Sequence, residues 1–138
     1  MRVLVSACLL GRNCKYNGGN NRCPRVESFV ADKQVVEICP EMMAGLGTPR
    51  TPIEIVNGVL VDKNGRNVDA ALREAAARAL ELAEKEQIDL AILQSRSPTC
   101  GVNQVYDGTF SGRLIPGQGV FARMLMDAGF AVRDAEDI

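Results

Sequence analysis

At 138 residues, with 46% apolar and 24% charged side chains, the chain has the size and composition of one domain, 1–138, built around a real hydrophobic core. A formal net charge of -1 provides no general attraction to a phosphate backbone, so duplex nucleic acid is not an expected partner. Histidine is absent altogether, which removes Cys-His and Ser-His-Asp nucleophiles and every histidine-ligated metal; acid, base and ligand roles fall to Cys, Asp, Glu, Lys, Tyr or Ser.

In chain order, the nearly all-apolar run Arg2 to Ala7 predicts a central first strand, ending at Cys8. A polar loop from Arg12 to Gly19 follows and carries Cys14, Lys15 and Tyr16; Asn17-Gly18-Gly19-Asn20-Asn21 reads as loop alone. Cys23-Pro24 opens a short helix over Arg25 to Ala31, with proline in the first turn. Gln34 to Ile38 predicts a second strand, ending at Cys39-Pro40-Glu41, and 42–52 is a glycine- and proline-rich loop of functional length. Ile53 to Val61 turns at Asn57-Gly58, the signal of a hairpin.

Asn67 or Asp69 then caps the longest helix, Asp69 to Gln87. Its apolar stripe Leu72, Ala76, Ala79, Ala83 follows the helical period, with Glu74–Arg78 and Glu81–Lys85 as favourably ordered pairs. Asp89 to Leu93 reads as a third buried strand, running into Ser95-Arg96-Ser97-Pro98-Thr99-Cys100-Gly101. A glycine-broken stretch, 102–114, leads to a last helix from Val120 to Ala128 with Gly129 at C′. Phe130 to Val132 is a final strand, and Arg133 to Ile138 an acidic frayed tail. The succession predicts an α/β fold: a small Rossmann-like three-layer unit with a short inserted β-hairpin and cysteines at the strand C-terminal ends.

In an open α/β sheet those ends face the ligand crevice, so Cys8, Cys39 and Cys100 are expected to converge although they lie far apart in sequence. Arg12, Lys15, Arg22, Arg25, Arg50 and Arg96 fall on the same loops and predict a basic mouth. Zinc is disfavoured, since no Cys-x-x-Cys pair is present, and compact ferredoxin spacing is absent too. A cysteine phosphatase needs arginine six positions after its cysteine, but Cys8 is followed by Arg12 and then Cys14, and Cys100 has no arginine until Arg113. Three converging thiolates remain able to hold an iron–sulfur cluster with one iron open as a Lewis acid. Glu41 is a candidate general base. Ser97 either caps the Thr99 and Cys100 N–H groups or donates to a ligand. Arg50 and Arg96 are candidate substrate-binding cations, or pair with Glu41 or Glu54; Tyr106, Asp107, Thr109 and Ser111 are candidate substrate-side groups, and Cys14 a candidate fourth ligand. Cys23 reads equally well as packing.

SACLLG followed by Cys14, CPE at 39–41, GLGTPR at 45–50, and SPTCG leading to YDGTFSG together resemble the DUF523 family, in four blocks that cover nearly the whole chain. The chain looks like the stand-alone short form of that family's iron–sulfur-dependent thiouracil desulfidases. The resemblance implies a [4Fe-4S] cluster held by Cys8, Cys39 and Cys100, with one iron free of protein ligand. It also implies catalytic roles for Glu41 and Ser97, and non-redox removal of sulfur, as hydrogen sulfide, from a thiocarbonyl nucleobase such as thiouracil. The competing readings are a structural or sulfur- or electron-delivering metal-cluster protein, and a metal-free nucleotide-binding module. An odd number of cysteines and the lack of a signal-like leader predict a reducing, cytoplasmic setting; no apolar run approaches the roughly 18 residues of a membrane span.

Overall fold

The computed structural model describes all 138 residues. Its central sheet is parallel and four-stranded: β1 (Arg2–Ser6), β2 (Gln34–Ile38), β5 (Leu90–Leu93) and β8 (Val132–Asp134), in the spatial order β2-β1-β5-β8. Strands β1 and β5 are central, which is why their residues are almost wholly apolar and buried. Alternation then divides their side chains between two cores. Val3, Val5, Leu90 and Ile92 face α1 (Pro24–Val30). Leu4, Ala91 and Leu93 face α3 (Asp69–Lys85) and α4 (Val120–Asp127). Helices on both sides of one sheet make the three layers expected of the α/β reading.

Helix α3 buries Leu72, Ala76, Ala79 and Ala83, the whole expected stripe, together with Ala75. Its small residues admit α4, whose Phe121 and Leu125 are fully buried; each is worth about 1.5–3 kcal/mol of transfer free energy. The N-cap of α3 is Val68, which offers no side-chain cap, and not Asn67 or Asp69. Asn67, one position before it, accepts the Asp69 N–H through Oδ1 at 2.9 Å, and Asp69 accepts from Leu60 N–H of the hairpin. That hairpin, β3 (Ile53–Val56) and β4 (Val59–Asp62), turns at Asn57-Gly58 as the sequence predicts. Helix α4 ends in a Schellman closure: Gly129 N–H donates to Met126 O and Phe130 N–H to Leu125 O.

Four other features differ from expectation. Beyond the expected turn after β1, a 3-10 turn at Ala7–Leu10, residues Pro40–Met43 form a one-turn helix, α2, at the start of the supposed loop. The 102–114 stretch and the residues after it hold a second hairpin, β6 (Gln104–Tyr106) and β7 (Leu114–Pro116). The last strand lies two residues later than predicted because Gly129 and Phe130 are spent on the helix cap. The tail is not frayed: Asp134 is buried, accepting from the Ser95 hydroxyl and from Glu136 N–H, and Ala135–Asp137 form a 3-10 turn.

The chain runs from β1 outward to β2 and later returns to β5 on the other side of β1. The crevice of such a sheet opens where the winding reverses, beyond the carboxyl ends of these strands. Residues 8, 39 and 100 are placed there.

Candidate functional site: a thiol-lined crevice

Cys8 stands in the 3-10 turn after β1. The loop of residues 11–23 folds back onto that turn, through Asn21 N–H to Cys8 O and Cys23 N–H to Leu9 O, and so brings Asn21 Nδ2 to 3.5 Å from Cys8 Sγ. Cys39 occupies the N-cap of α2 with Pro40 at N1. Cys100 follows β5 through the SPTC loop and is buried. All three, with Cys14, line one cavity of about 510 Å³.

Their protons are unequally held. The Cys14 thiol lies within hydrogen-bonding reach of both Cys39 and Cys8 and is pushed far up by those two thiolates and by burial. Its partners move the other way. Cys8 falls to about 7, chiefly through the bond from Cys14 and also through Asn21, against burial. Cys39 is lowered by Cys14 first, then by the Met42 N–H and Arg50. Burial raises Cys100, although bonds from Ser6 and Thr99 oppose it. Two low-pKa thiols and a third beside them are a donor set for soft metals. No group of three or more Cys, Asp and Glu side chains is gathered tightly enough to hold a single metal ion.

Glu41 lies against these thiols at the second position of α2. Its carboxyl is raised by burial, while Arg50 and the Thr99 hydroxyl pull it back. Arg50 is itself nearly enclosed, its side chain 9% exposed. It donates to Glu41 Oε2 at 3.1 Å, Cys14 O at 2.8 Å and Gly47 O at 2.9 Å. The guanidinium therefore ties the Cys14 loop to the base candidate, with its hydrogens directed at protein acceptors. Of the two roles the sequence left open for Arg50, the structure shows the pairing with Glu41. Arg96 lines the cavity but pairs with Glu136 at 2.7 Å, not with Glu41 or Glu54. The expected basic mouth is largely neutralised, since Arg12 pairs with Glu37 and Arg22 with Glu27 as well.

Ser97 Oγ accepts the N–H groups of Thr99 and Cys100 at 3.1 and 3.0 Å, so the capping role is real. It also lies 3.0 Å from Thr99 Oγ1. Thr99 is fully buried, and its hydroxyl lies 3.7 Å from Cys100 Sγ and within reach of Glu41. The loop is held from behind by α4: Val120 N–H donates to Pro98 O, and Phe121 and Ala122 N–H to Thr99 O. Tyr106 lines the cavity, as do Phe110 and Gly112 of the same hairpin. Asp107, Thr109 and Ser111 do not; Asp107 Oδ1 accepts from both the N–H and the hydroxyl of Thr109, at 3.0 and 2.6 Å, closing the turn on itself. Cys23 packs against the smaller core, away from the cavity. Glu54 and Asn21 also line the cavity, although nothing local in the sequence marks an acid in a hairpin or an asparagine in a glycine-rich loop.

A parallel sheet with a switch-point crevice lined by strand-end thiols and an enclosed carboxyl makes the chain an α/β protein with a thiol-lined ligand site. The sequence profile described as 2-thiouracil desulfurase matches residues 3–137, and the chain belongs to that family. A Bacillus subtilis (strain 168) protein, YbbK, described as uncharacterised, is 38% identical over 140 residues, covering 94% of this chain and 93% of its own. A solved structure described as the [4Fe-4S]-dependent thiouracil desulfidase TudS superposes with a TM-score of 0.93 at 32% identity, covering 99% of this chain and 92% of that one.

Proposed function

We propose that this protein is a [4Fe-4S]-dependent desulfidase that replaces the sulfur of a thiocarbonyl nucleobase, such as thiouracil, with oxygen. The observation that carries the reading is the convergence of Cys8, Cys39 and Cys100 on one cavity beside an enclosed Glu41, in a fold shared nearly end to end with the desulfidase structure. Cys8, Cys39 and Cys100 would hold the cluster. A cluster takes each thiolate on a separate iron, so its ligands surround a body rather than a point, which is compatible with thiols that line one cavity without forming a single-ion site. When bound, it supplies Lewis acidity at an iron without a protein ligand, where a thiocarbonyl sulfur is polarised.

The remaining chemistry belongs to side chains. Glu41 accepts a proton from water, and the oxygen attacks the thio-bearing carbon. Burial raises its affinity for that proton, and Arg50 keeps it directed at the crevice. Ser97 and Thr99 pass a proton to the departing sulfur side. A C–O bond forms and the C–S bond breaks; water and thiocarbonyl become carbonyl and hydrogen sulfide, with no oxidant or reductant. Five free cysteines suit a reducing compartment such as the cytoplasm. No helix is long and apolar enough to cross a membrane.

Anaerobically prepared protein is expected to carry iron and sulfide near four each per chain and to convert thiouracil to uracil and sulfide. Cys39→Ser should lose the iron, and Glu41→Gln should keep the iron and lose turnover. Full turnover by Cys39→Ser would remove the cluster from the reaction.

A further inference from the structure

Glu54 stands in the hairpin strand β3 and is 8% exposed. One carboxylate oxygen, Oε1, accepts the N–H of Gly108 at 2.9 Å and that of Phe110 at 3.2 Å. This ties the cavity-lining loop of 107–113 to the hairpin. The approach is close: Gly108 has φ 92°, and a Cβ there would lie 2.6 Å from Ile55 O. The other oxygen, Oε2, has no hydrogen-bond partner, and no cation pairs with Glu54. The sealed polar side-chain atom without a hydrogen bond is Glu27 Oε1, which lies 2.7 Å from Arg22 Nε. Glu54 Oε2 is therefore not sealed, and the space open to this residue is the cavity it lines with the cysteines and Glu41.

A carboxylate fixed by one oxygen and unpartnered at the other is an acceptor awaiting a donor, since leaving it unpaired once water is displaced is costly. In a thiouracil the ring donor that adjoins the thio-bearing carbon, whether that carbon is C2 or C4, is N3–H. We propose that Glu54 Oε2 accepts this N–H and makes the site selective for cyclic thioamides bearing it. The inference rests on the desulfidase reading and specifies its substrate. Ring nitrogens that are methylated, or bare and accepting, would be refused, because either leaves the carboxylate unpaired.

Equilibrium binding of uracil, the unreactive product under that reading, to the anaerobic cluster-loaded protein tests it. Wild type is expected to bind uracil about tenfold or more tighter than 3-methyluracil. Glu54→Gln keeps an oxygen for Gly108 and Phe110 N–H but turns a donor toward the ligand; the preference should fall to about two- to threefold or less. A mere packing role, or a steric clash of the methyl group, would leave the ratio unchanged in Glu54→Gln, and that result overturns the proposal. If the variant does not fold, cytosine presents a bare N3 without added bulk there, and equal binding of cytosine and uracil by wild type overturns it as well. Loss of thiouracil turnover and of uracil binding in wild type would instead sink the desulfidase reading, whereas turnover without discrimination at the N–H sinks the Glu54 assignment alone.

Discussion

Thr99 is the residue on which the site's hydrogen bonds meet. Its backbone N–H goes to Ser97, its carbonyl receives α4, and its hydroxyl stands among Ser97, Cys100 and Glu41. Thr99→Val removes the hydroxyl and almost no volume. Turnover is expected to fall by about tenfold to a hundredfold with iron content unchanged; an unaltered rate in that variant would confine the hydroxyl to packing. Ser97→Ala differs in kind. It strands the N–H groups of Thr99 and Cys100, so a cost of about 1–3 kcal/mol should appear in the urea midpoint of the metal-free protein before any assay. Loss of activity in Ser97→Ala alone therefore cannot assign Ser97 to the chemistry, and Thr99→Val can test the relay without disturbing the cap. That Cys8, Cys39, Cys100, Glu41 and Ser97 share one cavity was legible because each follows a strand; the choice among their possible roles was implied by the family resemblance alone. Glu54 and Asn21 were not legible in this way, since what they touch is brought by elements far away in sequence. Thr99 has local partners in Ser97 and Cys100, but its approach to Glu41 and to α4 comes from the fold.

At the scale of elements, the SPTC loop is rigid because α4 begins against it. Gly119 marks the contact: a Cβ there would lie 2.4 Å from the Thr99 carbonyl carbon, against backbone that cannot yield as a side chain can. Gly119→Ala is expected to cost about 1–3 kcal/mol and to lower iron content by displacing Cys100; a wild-type melting temperature and full iron would show that the helix start is free to shift. The strands β1, β2 and β5 and the helices α3 and α4 were readable because their apolar periods are long or unbroken. The second hairpin was not, for its strands have three residues each, are half exposed and include Pro116. Strand β8 was misplaced for a related reason: its Arg133 and Asp134 break an apolar run, yet Asp134 is buried through its bonds to Ser95 and Glu136.

Across the whole molecule, the proposed ligands join three neighbouring strands of one sheet, from residue 8 to residue 100, so no local segment can hold the cluster alone. An unfolded chain would present the same thiols without their convergence, and cluster binding then stabilises the native state alone. A group held at about a thousand times its dissociation constant contributes roughly 4 kcal/mol. Anaerobic treatment of the loaded protein with an iron chelator should therefore lower the melting temperature by several degrees, and reconstitution with iron and sulfide should restore it. Cys8→Ser, Cys39→Ser and Cys100→Ser are each expected to melt at the chelated value and to gain nothing on reconstitution. Cys23→Ser, whose thiol packs in the smaller core, should still respond fully to loading. A melting temperature independent of iron in wild type would mean that the thiols are not joined by a shared cluster, whatever their proximity.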